Sequence, residues 1–138
     1  MTPLYTASAV ATGNGRDGRV ESTDGVLTVD VRTPQELGGP GGATNPEQLF
    51  AAGYAACFHS ALRLVAQRSG ADVSDSEVVA DVSLGHHADG GFGLAVGLEV
   101  TLPRVQPEIA EQLVQQAHQV CPYSNATRGN VEVTLSVA

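Results

Sequence analysis

Asn45-Pro46-Glu47-Gln48-Leu49-Phe50-Ala51-Ala52-Gly53-Tyr54-Ala55-Ala56-Cys57-Phe58 is the stretch that decides the fold. It opens as a helix opens. Asn45 or Thr44 can cap it, Pro46 suits the first helical position, and Glu47 sets negative charge against the positive end of the helix dipole. From Leu49 to Phe58 there is almost no polar face, so this half of the helix should be buried all round. The pattern runs on to about Arg68, and Ser69-Gly70 ends it. Ala51, Ala52, Gly53, Ala55 and Ala56 let neighbouring backbones come close. A chain of 138 residues rarely surrounds a helix by itself, so a second subunit is expected to complete the burial.

Reading outward, the segment before this helix is a meander. Tyr5 to Ala11 reads as a strand, Gly13 to Gly18 as a glycine-rich turn, and Arg19 to Thr23 as a second strand. Asp24-Gly25 signals a hairpin, and Val26 to Val31 alternates as a half-buried third strand. Gly38 to Gly42 is a flexible loop. After the helix, Glu77 to His87 and Gly91 to Leu102 form a long hairpin across Ala88-Asp89-Gly90. Pro107 to Val120 is an amphipathic helix with Ile109, Leu113, Val114 and Ala117 towards the core. Val131 to Val137 alternates as a final strand. The order β-β-β-α-β-β-α-β predicts an α+β fold with antiparallel sheet and helices packed against it. Residues 1–138 carry no repeat and no visible boundary, so a single domain is expected.

Composition narrows the function. Hydrophobic residues make up 42% and charged residues 16%, the balance of a globular chain. Seven basic residues against fifteen acidic ones give a formal charge of -8, which disfavours nucleic acid as a partner. No lysine occurs, so arginine carries all the fixed positive charge. No basic or apolar leader is apparent, and the longest apolar run is about half a membrane span. A soluble, cytoplasmic protein is expected. In that compartment its two cysteines, Cys57 and Cys121, are more often catalytic, redox-active or inert than a stable disulfide.

A pair of thiols can do two-electron redox chemistry without a cofactor. The attacking form is the thiolate, and a nearby cation in a partly dry site raises its fraction. That cation must be arginine, protonated histidine or a helix N-terminus. Cys57 is too deep in its helix for the dipole end to help much. Arg63 and Arg68 lie on the more polar second half, whereas Arg16, in a tight glycine turn, can reach inward. A buried guanidinium needs a carboxylate to orient it, and Glu47 is a candidate. Ten residues, roughly 15 Å of rise, separate Glu47 from Cys57 on the helix. If all act in one site, either the helix bends or Glu47 comes from the other subunit, and the small-residue run favours the second. The bland alternatives stand beside this: free cysteines as small buried hydrophobes, Arg16 as a solvated turn residue, Glu47 as a dipole contribution.

Two motifs shift that balance. Asn45 to Phe58 closely resembles the first cysteine motif of the organic hydroperoxide resistance (Ohr) proteins of the Ohr/OsmC superfamily. Cys121-Pro122-Tyr123-Ser124-Asn125-Ala126-Thr127-Arg128-Gly129-Asn130 resembles the second. Gly15-Arg16-Asp17-Gly18 and Glu36-Leu37-Gly38-Gly39 match further stretches in the same order, so the likeness covers nearly the whole chain. The resemblance implies an OsmC-like intertwined homodimer with antiparallel sheets around central helices and active sites at the subunit interface. It implies that Cys57 is the peroxidatic thiolate and Cys121 the resolving cysteine. Arg16 would lower the pKa of Cys57 and orient the peroxide, with Glu47 holding Arg16. The implied activity is a thiol peroxidase on organic hydroperoxides, recycled by dihydrolipoyl groups on a lipoylated protein, with no cofactor and no metal. Phe50, Phe58 and Tyr123 are candidates to accommodate an alkyl group. His59 departs from the aliphatic residue common after the first motif, and its spacing points it to another helix face.

Two other readings remain open at this level. Cys57, His59, His86, His87 and Cys121 are potential metal ligands, but they lack ligand spacing, and His86 and His87 alternate on a strand. A non-catalytic small-molecule binding dimer could keep the same fold.

Overall fold

The computed structural model describes all residues, Met1–Ala138. In chain order the elements are β1 (Ala9–Asn14), β2 (Asp17–Ser22), β3 (Thr28–Asp30), a 3-10 turn (Gln35–Leu37), α1 (Pro46–Ser69), β4 (Glu77–His86), β5 (Phe92–Thr101), α2 (Pro107–Val120), α3 (Pro122–Thr127) and β6 (Glu132–Val137). The expected α+β order is present, with a short helix, α3, added after Cys121. The chain falls into two compact units, Met1–Leu49 and Phe50–Ala138, and the boundary lies inside α1.

The first unit is an antiparallel sheet in the order β1-β2-β3. Asn14 pairs with Asp17, so only Gly15 and Arg16 form the hairpin loop. Gly15 sits at φ 64°, the positive angle that a two-residue hairpin turn demands at its first loop position. The third strand is shorter than the alternation at Val26 to Val31 predicts. Asp24 accepts hydrogen bonds from the Val26 N–H (3.0 Å) and the Ser22 hydroxyl (2.6 Å), and this closes a loop that leaves Val26 and Leu27 outside the ladder. Local side-chain capping of the turn thus overrides strand pattern. β1 exposes every one of its residues, and in this unit only Val31 is fully buried.

The second unit holds a sheet in the order β4-β5-β6. β4 and β5 are antiparallel from Glu77 opposite Thr101 to His86 opposite Phe92, as the long hairpin predicts. One pairing departs from the expected antiparallel arrangement: β6 runs parallel to β5. The reason is the connection, because α2 and α3 carry the chain back across the sheet before β6 begins, and such crossovers permit parallel pairing. The two registers align three apolar rows across the sheet, Val82-Val96-Val133, Ala80-Leu98-Leu135 and Val78-Val100-Val137. Against them lie Tyr54, Phe58, Ala61, Leu62, Val65 and Ala66 of α1 and Ala110, Leu113, Val114 and Ala117 of α2. These spacings place one face of each helix on the core. Ile109, expected in that face, is exposed; Ala110 takes its place.

α1 starts as the sequence predicts. The Asn45 side chain accepts from the Gln48 N–H at 2.9 Å, which fixes Asn45 as the cap. By length and composition α1 could cross a membrane, but its inner face belongs to the core just described. The all-round burial expected for its first half is not met within one chain. Tyr54 and Phe58 are fully buried, Cys57 is half-buried, and Ala52 and Ala56 are exposed.

Candidate active site

Cys57 and Cys121 meet. Their sulfurs lie 3.6 Å apart, and both are free thiols. Cys57 is half-buried on α1, whereas Cys121 is fully buried at the joint between α2 and α3. The joint is held from both sides. The Cys121 N–H donates to Ala117 O and closes α2, while its carbonyl accepts from the Asn125 N–H and opens α3, each at 2.9 Å. Pro122 at the first position of α3 permits this break, since it has no N–H to lose. A sulfur pair at this separation becomes a disulfide by closing to about 2.05 Å, a movement that side-chain rotation and a small backbone shift can supply.

Burial pushes the Cys57 thiol above its ordinary pKa. The Tyr123 backbone N–H, directed at the sulfur, acts against that, and the neighbouring Cys121 adds to the rise. A raised pKa lowers the thiolate fraction of Cys57.

Arg16 and Glu47 form the other pair, within the first unit. The guanidinium donates through both terminal nitrogens, Nη1 to Oε2 at 2.8 Å and Nη2 to Oε1 at 2.6 Å. This is the bidentate fork that fixes guanidinium orientation as well as charge. The carboxyl of Glu47 is held below its usual range by the Arg16 hydrogen bonds, and the Arg16 guanidinium is held in its charged form by Glu47. Arg16 keeps 38% of its side chain exposed against 16% for Glu47, so the cation still presents a free face. Asp17, next in the turn, does more than the sequence indicates. Its carboxylate accepts from the Thr33 N–H (3.1 Å) and hydroxyl (2.9 Å), tying the loop that carries Arg16 to the segment after β3.

Sequence reasoning also passes over a buried polar cluster. The Tyr54 hydroxyl shares hydrogen bonds with Ser124 Oγ (2.8 Å) and Thr127 Oγ1 (3.1 Å). The signal was available in outline, because Tyr54 precedes Cys57 by three residues and Ser124 and Thr127 follow Cys121 at intervals of three, the spacing of one helix face. Of the three candidate alkyl contacts, Phe58 is fully buried in the core. Phe50 and Tyr123 stay accessible, their ring centroids 6.3 Å apart. His59 turns away to Ser76 Oγ at 2.9 Å. No three histidine, cysteine or carboxylate side chains gather as a metal ion would require.

The site is thus a pair of free thiols 3.6 Å apart, one on α1 and one at the joint of α2 and α3. The model of the OsmC-like protein family matches residues 39–136. An organic hydroperoxide resistance protein of Xanthomonas axonopodis pv. citri is 53% identical over 98% of this chain and 95% of its own length. The crystal structure of an organic hydroperoxide resistance protein from Legionella pneumophila superposes with a TM-score of 0.94 at 54% identity, covering 99% of each chain. That of Bacillus subtilis OhrB superposes with a TM-score of 0.89 at 47% identity, covering 99% of this chain and 100% of the other. The chain belongs to the OsmC-like family, on its organic hydroperoxide resistance branch.

Proposed function

We propose that this protein is a cytoplasmic, cysteine-based peroxidase that reduces organic hydroperoxides to alcohols. The observation that carries the reading is the pair of free thiols 3.6 Å apart, one half-buried and one fully buried. The Cys57 thiolate attacks the distal oxygen of ROOH; the O–O bond breaks, ROH leaves after taking up a proton, and Cys57 becomes a sulfenic acid. Cys121 attacks that sulfur, the S–OH bond breaks, the hydroxyl leaves with the thiol proton as water, and a Cys57–Cys121 disulfide forms. An external dithiol, the dihydrolipoyl group of a protein partner, returns both cysteines to thiols and is itself oxidised to the cyclic disulfide. No cofactor takes part.

Activation of Cys57 calls for a cation that offsets the rise burial imposes. The Arg16 guanidinium, oriented by Glu47, is that cation in the proposed site, contributed by the other chain of a homodimer. Two features support the dimer: the exposed small residues of α1 beside Cys57, and a three-stranded sheet whose first strand buries nothing within one chain. The accessible Phe50 and Tyr123 rings, their centroids 6.3 Å apart, favour an alkyl or aryl peroxide over hydrogen peroxide.

The test is turnover of cumene hydroperoxide with dihydrolipoamide as the only reductant. One cumyl alcohol per dihydrolipoamide oxidised is expected, with none from Cys57→Ser. Equal activity in Cys57→Ser would refute the assignment.

A further inference from the structure

The buried hydroxyl cluster of Tyr54, Ser124 and Thr127 has no part in the chemistry just described, yet it joins the two helices that carry the sulfurs. Tyr54 and Ser124 are wholly inaccessible and Thr127 is 4% exposed. Burying three hydroxyls is unfavourable unless each finds a partner, and an apolar contact would hold two helices together at lower risk. What a hydrogen-bonded cluster adds is register, because hydroxyls must meet at defined points whereas apolar side chains can slide. The geometry makes the consequence specific. On α1, Tyr54 and Cys57 are three residues apart. On the other side, Cys121, Ser124 and Thr127 follow at intervals of three. One end of this helix–helix seam is therefore the hydroxyl cluster, and the other end is the sulfur pair at 3.6 Å. Thr127 is itself anchored by donating to the Ser124 carbonyl at 3.1 Å, so α3 is gripped through its own turn.

We propose that the Tyr54–Ser124–Thr127 cluster is a positioning device for the resolving step, setting the rotation and register of α3 on α1 so that the Cys121 sulfur reaches the Cys57 sulfenic acid before a second peroxide does. The role rests on the peroxidase reading above. Tyr54, Ser124 and Thr127 act through Cys121 and touch neither peroxide nor reductant. The competing fate is defined by chemistry: a sulfenic acid left unresolved takes a second oxygen from another ROOH, becoming a sulfinic acid and releasing a second ROH. Loss of register therefore shows as a change in partition, not only as a change in stability.

The experiment adds one equivalent of cumene hydroperoxide, and separately a large excess, to the reduced full-length protein. Alcohol formed, thiols lost, sulfenic acid trapped by dimedone, and sulfinic acid at Cys57 by mass spectrometry are followed in time. Wild type should lose two thiols per chain with little trapped sulfenic acid. Tyr54→Phe and Thr127→Val should form the first equivalent of alcohol but close the disulfide about tenfold more slowly, since small misplacements of reacting groups cost factors of this size. Both should accumulate sulfinic acid under excess peroxide. Thr127→Ser, which keeps the hydroxyl and loses the methyl, should resolve like wild type. A packing role alone predicts the reverse order, because valine preserves the volume that serine gives up. Disulfide closure at the wild-type rate in Tyr54→Phe and Thr127→Val, beside a wild type that loses two thiols, overturns the positioning role alone. A wild type that loses no thiols overturns the peroxidase reading and this role with it. Should Tyr54→Phe fold poorly, the comparison of Thr127→Val with Thr127→Ser decides.

Discussion

Cys57 and Cys121 are chemically the same side chain in different settings, and the proposed roles follow that difference. Cys57 faces partly outward on a helix, while Cys121 is sealed at the joint of two helices. In the proposed cycle the half-buried Cys57 meets the peroxide and the buried Cys121 resolves it. Cys57→Ser should abolish turnover, and Cys121→Ser should reduce one peroxide per chain and then fail to recycle with dihydrolipoamide. A Cys121→Ser protein that sustains wild-type turnover would contradict the division of labour. Because burial raises the Cys57 pKa, the proposed cycle calls for a cation at the sulfur, and the proposal gives that part to Arg16. In Arg16→Ala the thiolate titration, followed by ultraviolet absorbance, should move to higher pH, and the first oxidation should slow by a factor of about ten or more. An unchanged titration would remove Arg16 from the site.

Glu47 gives that dependence a pH signature. Its folded pKa is depressed by Arg16 from an ordinary value of 4.5. A group of this kind contributes fully above the unfolded pKa, and the contribution is lost as pH falls through the lowered folded value. The rate advantage of wild type over Glu47→Gln should thus be constant through neutral pH and shrink only at the acid end. A ratio that stays the same in strong acid would deny the ion pair its role. The identities of Arg16, Glu47, Cys57 and Cys121 as candidates were legible in the sequence, since charge, glycine turn and motif all lie on the surface of the text. Asp17 was not, and Tyr54 only in outline, through its three-residue spacing from Cys57. Their partners lie sixteen and seventy or more positions away, and spacing alone does not say which distant group each one meets.

At the scale of elements, the seam between α1 and α3 is where fold and chemistry join. Gly53 lies against Tyr123: a Cβ there would sit 3.1 Å from the hydroxyl oxygen and 3.3 Å from the ring. Gly53→Ala gains helix propensity, about 1 kcal/mol in an exposed interior, but must displace the Tyr123 ring by a few tenths of an ångström. Thermal stability should therefore hold or rise slightly, while KM for cumene hydroperoxide increases as the Tyr123 ring, the proposed alkyl contact, moves. An unaltered KM would remove Tyr123 from the peroxide contact. α2 matched its predicted span of Pro107 to Val120, because its proline start and strong amphipathic stripe are local signals. α3 escaped notice because six residues, two of them serine and threonine, read as loop, and only the buried partner Tyr54 turns them into an element. The parallel placement of β6 was equally hidden, since alternation reports that a strand exists and not which neighbour it joins.

For the whole molecule, the shortfall of burial along the first half of α1 is the leading feature. An apolar, small-residue face beside Cys57 is costly to leave in water. The protein should run as a homodimer, twice the chain mass of 14.2 kDa, by light scattering after size exclusion. A stable active monomer would contradict the proposal that Arg16 and Glu47 act across an interface. The sequence pointed to a second subunit through the same small residues, and burial within one chain leaves that expectation with its physical motive intact.

The central claim is that Cys57 and Cys121 form one two-electron centre for organic peroxides. Its most direct test is a thiol count on the reduced wild-type protein before and after one equivalent of cumene hydroperoxide. The account predicts the loss of two thiols per chain, with one cumyl alcohol formed and both thiols restored by dihydrolipoamide. Two thiols remaining after the peroxide has been added would contradict it.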